Sequence, residues 1–289
     1  MENPHGTTLS DWQDLAKRVW RAASSQHSSL DAAGIAFFGV WALFPALAAL
    51  VSLGGMLFGR SEMLQLLLRI KRDLPESFDI VVVGQLQAIA YHSRTLSTAT
   101  LILALLIALW SSMRGVRGLV TALNAIYGEE EKRTVWHRFG LVVGFTLVGG
   151  ILMLIVLALI LVPPWIKGGP GRPILMIGVM RWPILIAMLM LSLSALYRFG
   201  PSRSANQWHW ISPGAVASAV LWIAGSLLLS YYTSQFSHLN PLLGSLGAFT
   251  LFFMWSYLTV LMVLLGAQVN AEMERNASRA SPLDRPRAG

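Results

Sequence analysis

Cysteine is absent from the 289 residues, and charge is scarce: Asp, Glu, Lys and Arg together make up only 12% of the chain. Without cysteine there is no disulfide, no thiolate nucleophile and no thiolate-bound metal. A soluble domain carries about a quarter charged residues. Half that fraction, beside 55% hydrophobic residues, excludes an ordinary water-soluble globule. Patterns of catalysis are missing too. The six histidines never pair at i, i+3 or i+4, and there is no HExxH, GxSxG or GxxxxGK[ST]. A metal hydrolase needs several ligands around an open position, a serine hydrolase an oriented base, and a nucleotide site a phosphate-cradling loop. The sequence therefore assigns no catalytic residue, no metal and no cofactor.

What is present is long apolar runs. About 20 such residues cross a bilayer, and the chain offers six spans. Residues 32–59 hold 28 positions without a charge, followed by spans at about 95–113, at 139–166 and within 173–197. Residues 204–271 contain no Asp, Glu, Lys or Arg in 68 positions, too many for one helix and right for two. The turn signal Asn240-Pro241, within residues 233–245, divides them. The fold class is all-α: a polytopic membrane protein of six transmembrane helices with additional amphipathic surface helices. Residues 1–31 form an N-terminal segment, 32–271 the transmembrane domain with an external loop at about 60–94, and 272–289 a disordered tail. Residues 1–30 lack the apolar core of a signal peptide, so the first span is expected to act as its own insertion signal.

The net charge of +8 raises nucleic acid as a partner, but the basic residues flank the apolar runs instead of forming one patch. That is how topogenic charge is distributed. The two termini with the second and fourth loops carry 14 Lys and Arg, and the remaining loops 8, which predicts both termini in the cytoplasm. Residues 10–25 alternate Trp12, Leu15, Val19 and Trp20 with Lys17, Arg18 and Arg21. Such a basic amphipathic helix suits either anionic membrane lipids or the protein's own helix ends. Two further helices, divided by Pro75, are expected in the first loop.

Inside the spans, Pro45 removes a helical N–H and predicts a kink, either plain packing or a hinge. Arg181 fits an interfacial anchor, with Pro183 in the first turn of the fourth span. Gly140 with Gly144, and Gly214 with Ser218, have the small-xxx-small spacing of close helix approach within the chain. The second span is expected to run on to Gly128, carrying Arg117, Thr121 and Asn124 on a stripe opposite its apolar face, before a solvated Glu129-Glu130-Glu131 end. By topology, Arg117, Asn124 and Tyr127, then Tyr197 and Arg198, then Trp208 and Trp210, and finally Gln268, Asn270 and Glu272 reach one membrane face. Together with Pro45 they form the candidate substrate-binding set, a polar collar in which an anionic headgroup would sit while its tail stays in lipid.

Six segments in order, FFGVWALFPALAAL, ALNAIY, YRFGP, WHWISPGA, GSLGA and GAQVNAE, resemble the YihY/BrkB family of bacterial inner-membrane proteins. The resemblance covers roughly residues 33–275. It implies a six-helix membrane domain with cytoplasmic termini. Members of that family carry the labels ribonuclease BN, virulence factor or transporter. The chain departs from the family pattern at Leu243, commonly Tyr, and at Gln268, commonly Glu. No residue here supports the ribonuclease label. The reading is therefore a membrane transporter for an amphiphilic or lipid-like substrate, with a non-catalytic scaffold of envelope assembly as the alternative.

Overall fold

The computed structural model describes residue 17 and residues 26–57, 98–161, 174–202, 212–235 and 240–280. These form six long helices and, among the described residues, no strand: α1 (Gln26–Leu57), α2 (Thr98–Tyr127), α3 (Val135–Leu161), α4 (Ile174–Phe199), α5 (Pro213–Gln235) and α6 (Asn240–Ala280). Each contains a stretch long and apolar enough to cross a bilayer. The all-α, six-span expectation holds. The charge-free run 204–271 divides between α5 and α6, and α2 continues through to Tyr127.

Two boundaries differ from expectation. Helix α4 starts at Ile174, so Pro183 lies inside the helix and not in its first turn. Interior proline is tolerated in membrane helices, where neighbours re-satisfy the freed backbone. Helix α6 continues beyond Ala271 to Ala280, into the segment assigned to a disordered tail. Side-chain pairs along the helix hold this extension: Asn270 Nδ2 donates to Glu274 Oε1 at 3.3 Å, and Arg275 Nη1 to Glu272 Oε1 at 2.8 Å. The N-terminal amphipathic helix, the first-loop helices, Trp208 and Trp210 lie outside the described residues.

Packing inverts the pattern of a soluble protein. The buried apolar positions are mostly alanine, among them Ala32, Ala36, Ala108, Ala122, Ala215 and Ala267, whereas Trp41, Leu106, Trp110, Ile151 and Leu227 are exposed. Lipid solvates large side chains as well as a neighbouring helix does, so membrane helices associate through small residues that admit close backbone approach. The most extensive helix pair is α1 with α2, followed by α5 with α6 and α1 with α6. At the first, Gly115 and Gly118 face Phe38 and Ile35. Helix α3 packs on α2 and only marginally on α4. Its Gly140 and Gly144 have open space beside them, so among the described residues that pair is not the close approach expected within the chain.

The alternation of six helices gathers the start of α1, the end of α2, the start of α3, the end of α4, the start of α5 and the end of α6 at one end of the bundle. This end is called the terminal face below.

Candidate functional site

Two different arrangements occupy the terminal face and its approach, one closed and one open. The closed one is the seam of α4, α5 and α6. Ser212 caps α5: Ala215 N–H donates to its side-chain Oγ at 3.2 Å and its carbonyl at 2.9 Å, with Pro213 at the first helical position, where its missing N–H costs nothing. One residue on, a Cβ at Gly214 would collide with the carbonyl oxygen of Gly266 and approach Asn270 Cβ to 2.7 Å. A Cβ at Gly266 would in turn strike Ser218 Oγ and the Gly214 carbonyl. Gly214 and Ser218 are therefore the close approach predicted by their spacing. The fully buried Tyr197 reaches across from α4. Its hydroxyl lies 2.6 Å from Ser218 Oγ and 2.7 Å from the Val263 carbonyl, while Ser218 Oγ lies 2.9 Å from the Met262 carbonyl. Two hydroxyl protons serve three short contacts, leaving no donor spare for a ligand.

Polar side chains from elsewhere finish the helix ends. Helix α2 stops at Gly128, whose φ of 69° only glycine adopts without cost. Glu129 N–H donates to the Asn124 carbonyl and Gly128 N–H to the Ala125 carbonyl, which is the Schellman pattern. Asn124, buried, joins three elements: its Oδ1 accepts from Ser202 N–H at 2.7 Å and its Nδ2 donates to Glu131 at 3.1 Å. Arg133 turns its guanidinium onto the carbonyls of Phe199, Gly200 and Pro201, covering the exposed C-terminal end of α4. Arg275 does the same for α2, donating to the Ile126 carbonyl at 2.9 Å. Asn270 Nδ2 donates to Tyr127 Oη at 3.0 Å, tying α6 to α2.

The open arrangement is a pocket of about 290 Å³ between α1, α2 and α6. Its polar lining is Ser28, Asp31, Gln268, Glu272 and Arg275, and its apolar lining Ala122, Ala125, Ile126, Leu264 and Ala271. Gln268 Nε2 donates to Ser28 Oγ at 3.2 Å. The residue is only 7% exposed, yet its Oε1 has no partner among the described residues. A buried acceptor left unpaired costs about 1–3 kcal/mol, so this amide is strained in a way that none of the seam groups is.

A family model described as Virulence factor BrkB matches residues 19–288. The chain belongs to the virulence factor BrkB family. Among curated relatives, the ribonuclease-like protein YfkH of Bacillus subtilis is 27% identical over 176 residues, covering 58% of this chain and 63% of the relative. A UPF0761 membrane protein of Vibrio parahaemolyticus is 29% identical over 106 residues, covering 36% and 33%. Another, from Nitrosospira multiformis, is 27% identical over 157 residues, covering 53% and 36%. The matches thus span less than two thirds of these relatives' lengths. No solved structure gives a significant match.

In this BrkB-family chain the collar residues meet at the terminal face, but they divide. Asn124, Tyr127, Tyr197 and Asn270 are engaged in joining helices, whereas Gln268 and Glu272 line the pocket. Arg198 stacks on Phe199, 5.3 Å to the ring centroid, and is not in the pocket wall. Arg117 is exposed, and Asn124 leaves the solvent stripe assigned to it with Arg117 and Thr121 because its amide is needed inside. Pro45 lies 17 residues along α1 from Ser28, about 25 Å at 1.5 Å per residue, and does not reach the collar. Glu131 is not a solvated end: it accepts from Asn124 and from Arg133 N–H, and lies 3.7 Å from Arg138. Ser28, Asp31 and Arg275 were absent from the expected set. Their signal was weak, since charges and hydroxyls flanking a span ordinarily meet water. Among the described residues, no three His, Asp or Glu side chains come together as a metal-holding group.

Proposed function

We propose that this membrane protein is a transporter for an amphiphilic, lipid-like substrate, and that the pocket between α1, α2 and α6 receives its headgroup. The amphiphilic lining carries the reading. Five polar or charged residues and five apolar ones line an open cavity at a bundle end, and such a mixed wall matches a molecule with a polar head and an apolar body. The lipid-facing side chains of α1 and α2, including Trp41 and Trp110, leave the tail in the bilayer. The excess of Lys and Arg in the termini and in the second and fourth loops supports an inner-membrane location with the terminal face in the cytoplasm. No step of this function is chemical, so the assignment is not an enzyme.

The test is leaflet exchange in proteoliposomes containing the full chain and a fluorescent headgroup-labelled lipid. Exchange faster than in protein-free liposomes, slowed about tenfold by Gln268→Leu, is expected. Exchange no faster than in empty liposomes overturns the transport reading.

A further inference from the structure

Charge and hydrogen-bonding capacity in the pocket are unbalanced in one direction. Among the described lining residues, two carboxylates, Asp31 and Glu272, face one guanidinium, Arg275, with no lysine or histidine. Arg275 already donates to Glu272 and to the Ile126 carbonyl. Asp31 has no ion pair with any described residue and stands one helical turn from Ser28 on α1, on the pocket side. Gln268 adds its unpartnered Oε1, buried beside them. Among the described residues, the pocket therefore offers acceptors and negative charge, from Asp31 and Gln268 Oε1 above all, in excess of the donors set against them.

A primary ammonium group answers that imbalance. It carries three N–H donors on a compact charge, enough for Gln268 Oε1, the Asp31 carboxylate and Glu272 together. A quaternary ammonium does not, because it has no N–H and is held by aromatic faces; none of the ten described lining residues is aromatic. A purely anionic headgroup meets Asp31 and Glu272 with like charge. Arg275, the one cation among the described lining residues, would meet a phosphate linked to the ammonium.

We propose that Asp31, Gln268 and Glu272 form a binding site for a primary ammonium group, and that the preferred headgroup is a phosphate diester bearing such an amine. This narrows the anionic headgroup expected from the arginines of the collar to one carrying both signs. The inference rests on the reading of this pocket as the headgroup end of an amphiphile site.

The test uses the purified full chain, delipidated in detergent and offered equal amounts of phosphatidylethanolamine, phosphatidylcholine and phosphatidylglycerol with identical acyl chains. Retained lipid is counted by native mass spectrometry. Phosphatidylethanolamine is expected to exceed each of the others about tenfold, the ratio produced by one charge-assisted hydrogen bond. Asp31→Asn and Gln268→Leu should abolish that preference, and Gln268→Glu, which adds a carboxylate, should raise it. The gain expected of Gln268→Glu keeps the test independent of any loss from misfolding. Competition by free ethanolamine supports the site and assigns recognition to the amine alone. A retained preference without such competition supports it and assigns recognition to the intact lipid. Equal retention of phosphatidylethanolamine and phosphatidylcholine, or a preference that ignores all three substitutions, overturns the proposal. Because binding is read without transport, a surviving preference in a chain that exchanges no lipid removes only the transport reading. Exchange without headgroup preference removes only the ammonium site.

Discussion

Helix α6 presents two faces to its neighbours within two turns, and they are built on opposite terms. Gly266 and Asn270 meet α5, where backbones come so close that a single Cβ has no room. Gln268 and Glu272 face α1 and α2, where about 290 Å³ is left open. At about 100° per residue, positions two apart lie roughly half a turn from each other, so the alternation along Gly266, Gln268, Asn270 and Glu272 sorts residues to the two sides. In the seam the polar side chains bond to one another and to helix carbonyls. In the pocket a buried amide oxygen has no partner among the described residues. Polar residues near the end of a span thus fall into those that close a helix seam and those that line an opening.

The strongest way to break the comparison is to fill the seam. Gly214→Val or Gly266→Leu places atoms against backbone, which has no flexible end to move, and overpacking of this kind costs about 3 kcal/mol or more. The expected outcome is loss of the monodisperse folded protein on size exclusion, with a collapse of the thermal transition for whatever survives. Gly225→Ala is the control on the same helix pair. The atoms it meets are the Sδ and Cε of Met262, the mobile tip of an adaptable side chain, and its transition should stay close to that of the parent chain.

Next in size is the joint between α2 and the turn after α4. Asn124→Leu leaves Ser202 N–H and one Glu131 oxygen without their partner, for which about 1–3 kcal/mol is expected, read as a lowered midpoint in chemical unfolding. Tyr197→Phe keeps the buried ring and removes only the hydroxyl shared by Ser218 and the Val263 carbonyl. Hydrogen bonds between membrane helices contribute about 0.6 kcal/mol on average and up to about 1.7, so its cost should fall below that of Asn124→Leu.

Most of the bundle was legible because its signal is local. A charge-free run long enough to cross a bilayer needs no knowledge of its neighbours, and the break at Asn240 and the stop at Gly128 each rest on one or two residues. The face shared by the collar also followed, from counting spans. The division of labour within the collar was not legible. Arg133 reads as one more loop charge, and the carbonyls it covers lie 66 to 68 residues further along the chain. Glu131 looked solvated for the same reason. Asp31 and Ser28 precede a span, where polar residues commonly mark only its edge, and their pocket exists only because the far end of α6 returns beside them. Spacing identified Gly214 with Ser218 and misassigned Gly140 with Gly144, since small residues state that close approach is permitted and not that a partner is present.

The finest contrast lies within α6 itself, between Gln268→Leu and Asn270→Leu, two substitutions of similar shape one helical step to either side of Val269. Asn270→Leu removes the donor to Tyr127 and Glu274 and crowds Gly214, whose hypothetical Cβ already lies 2.7 Å from Asn270 Cβ. A loss of about 1–2 kcal/mol is expected. Gln268→Leu forfeits the bond to Ser28 but also removes the buried oxygen that has no partner. Replacing an imperfectly satisfied polar group by an apolar one of similar shape is nearly neutral, so its thermal midpoint should stay close to that of the parent, while headgroup retention falls. A midpoint lowered as far by Gln268→Leu as by Asn270→Leu would mean that Gln268 holds the fold together just as the seam does. The opening beside it would then be a gap in packing instead of a place kept for a ligand.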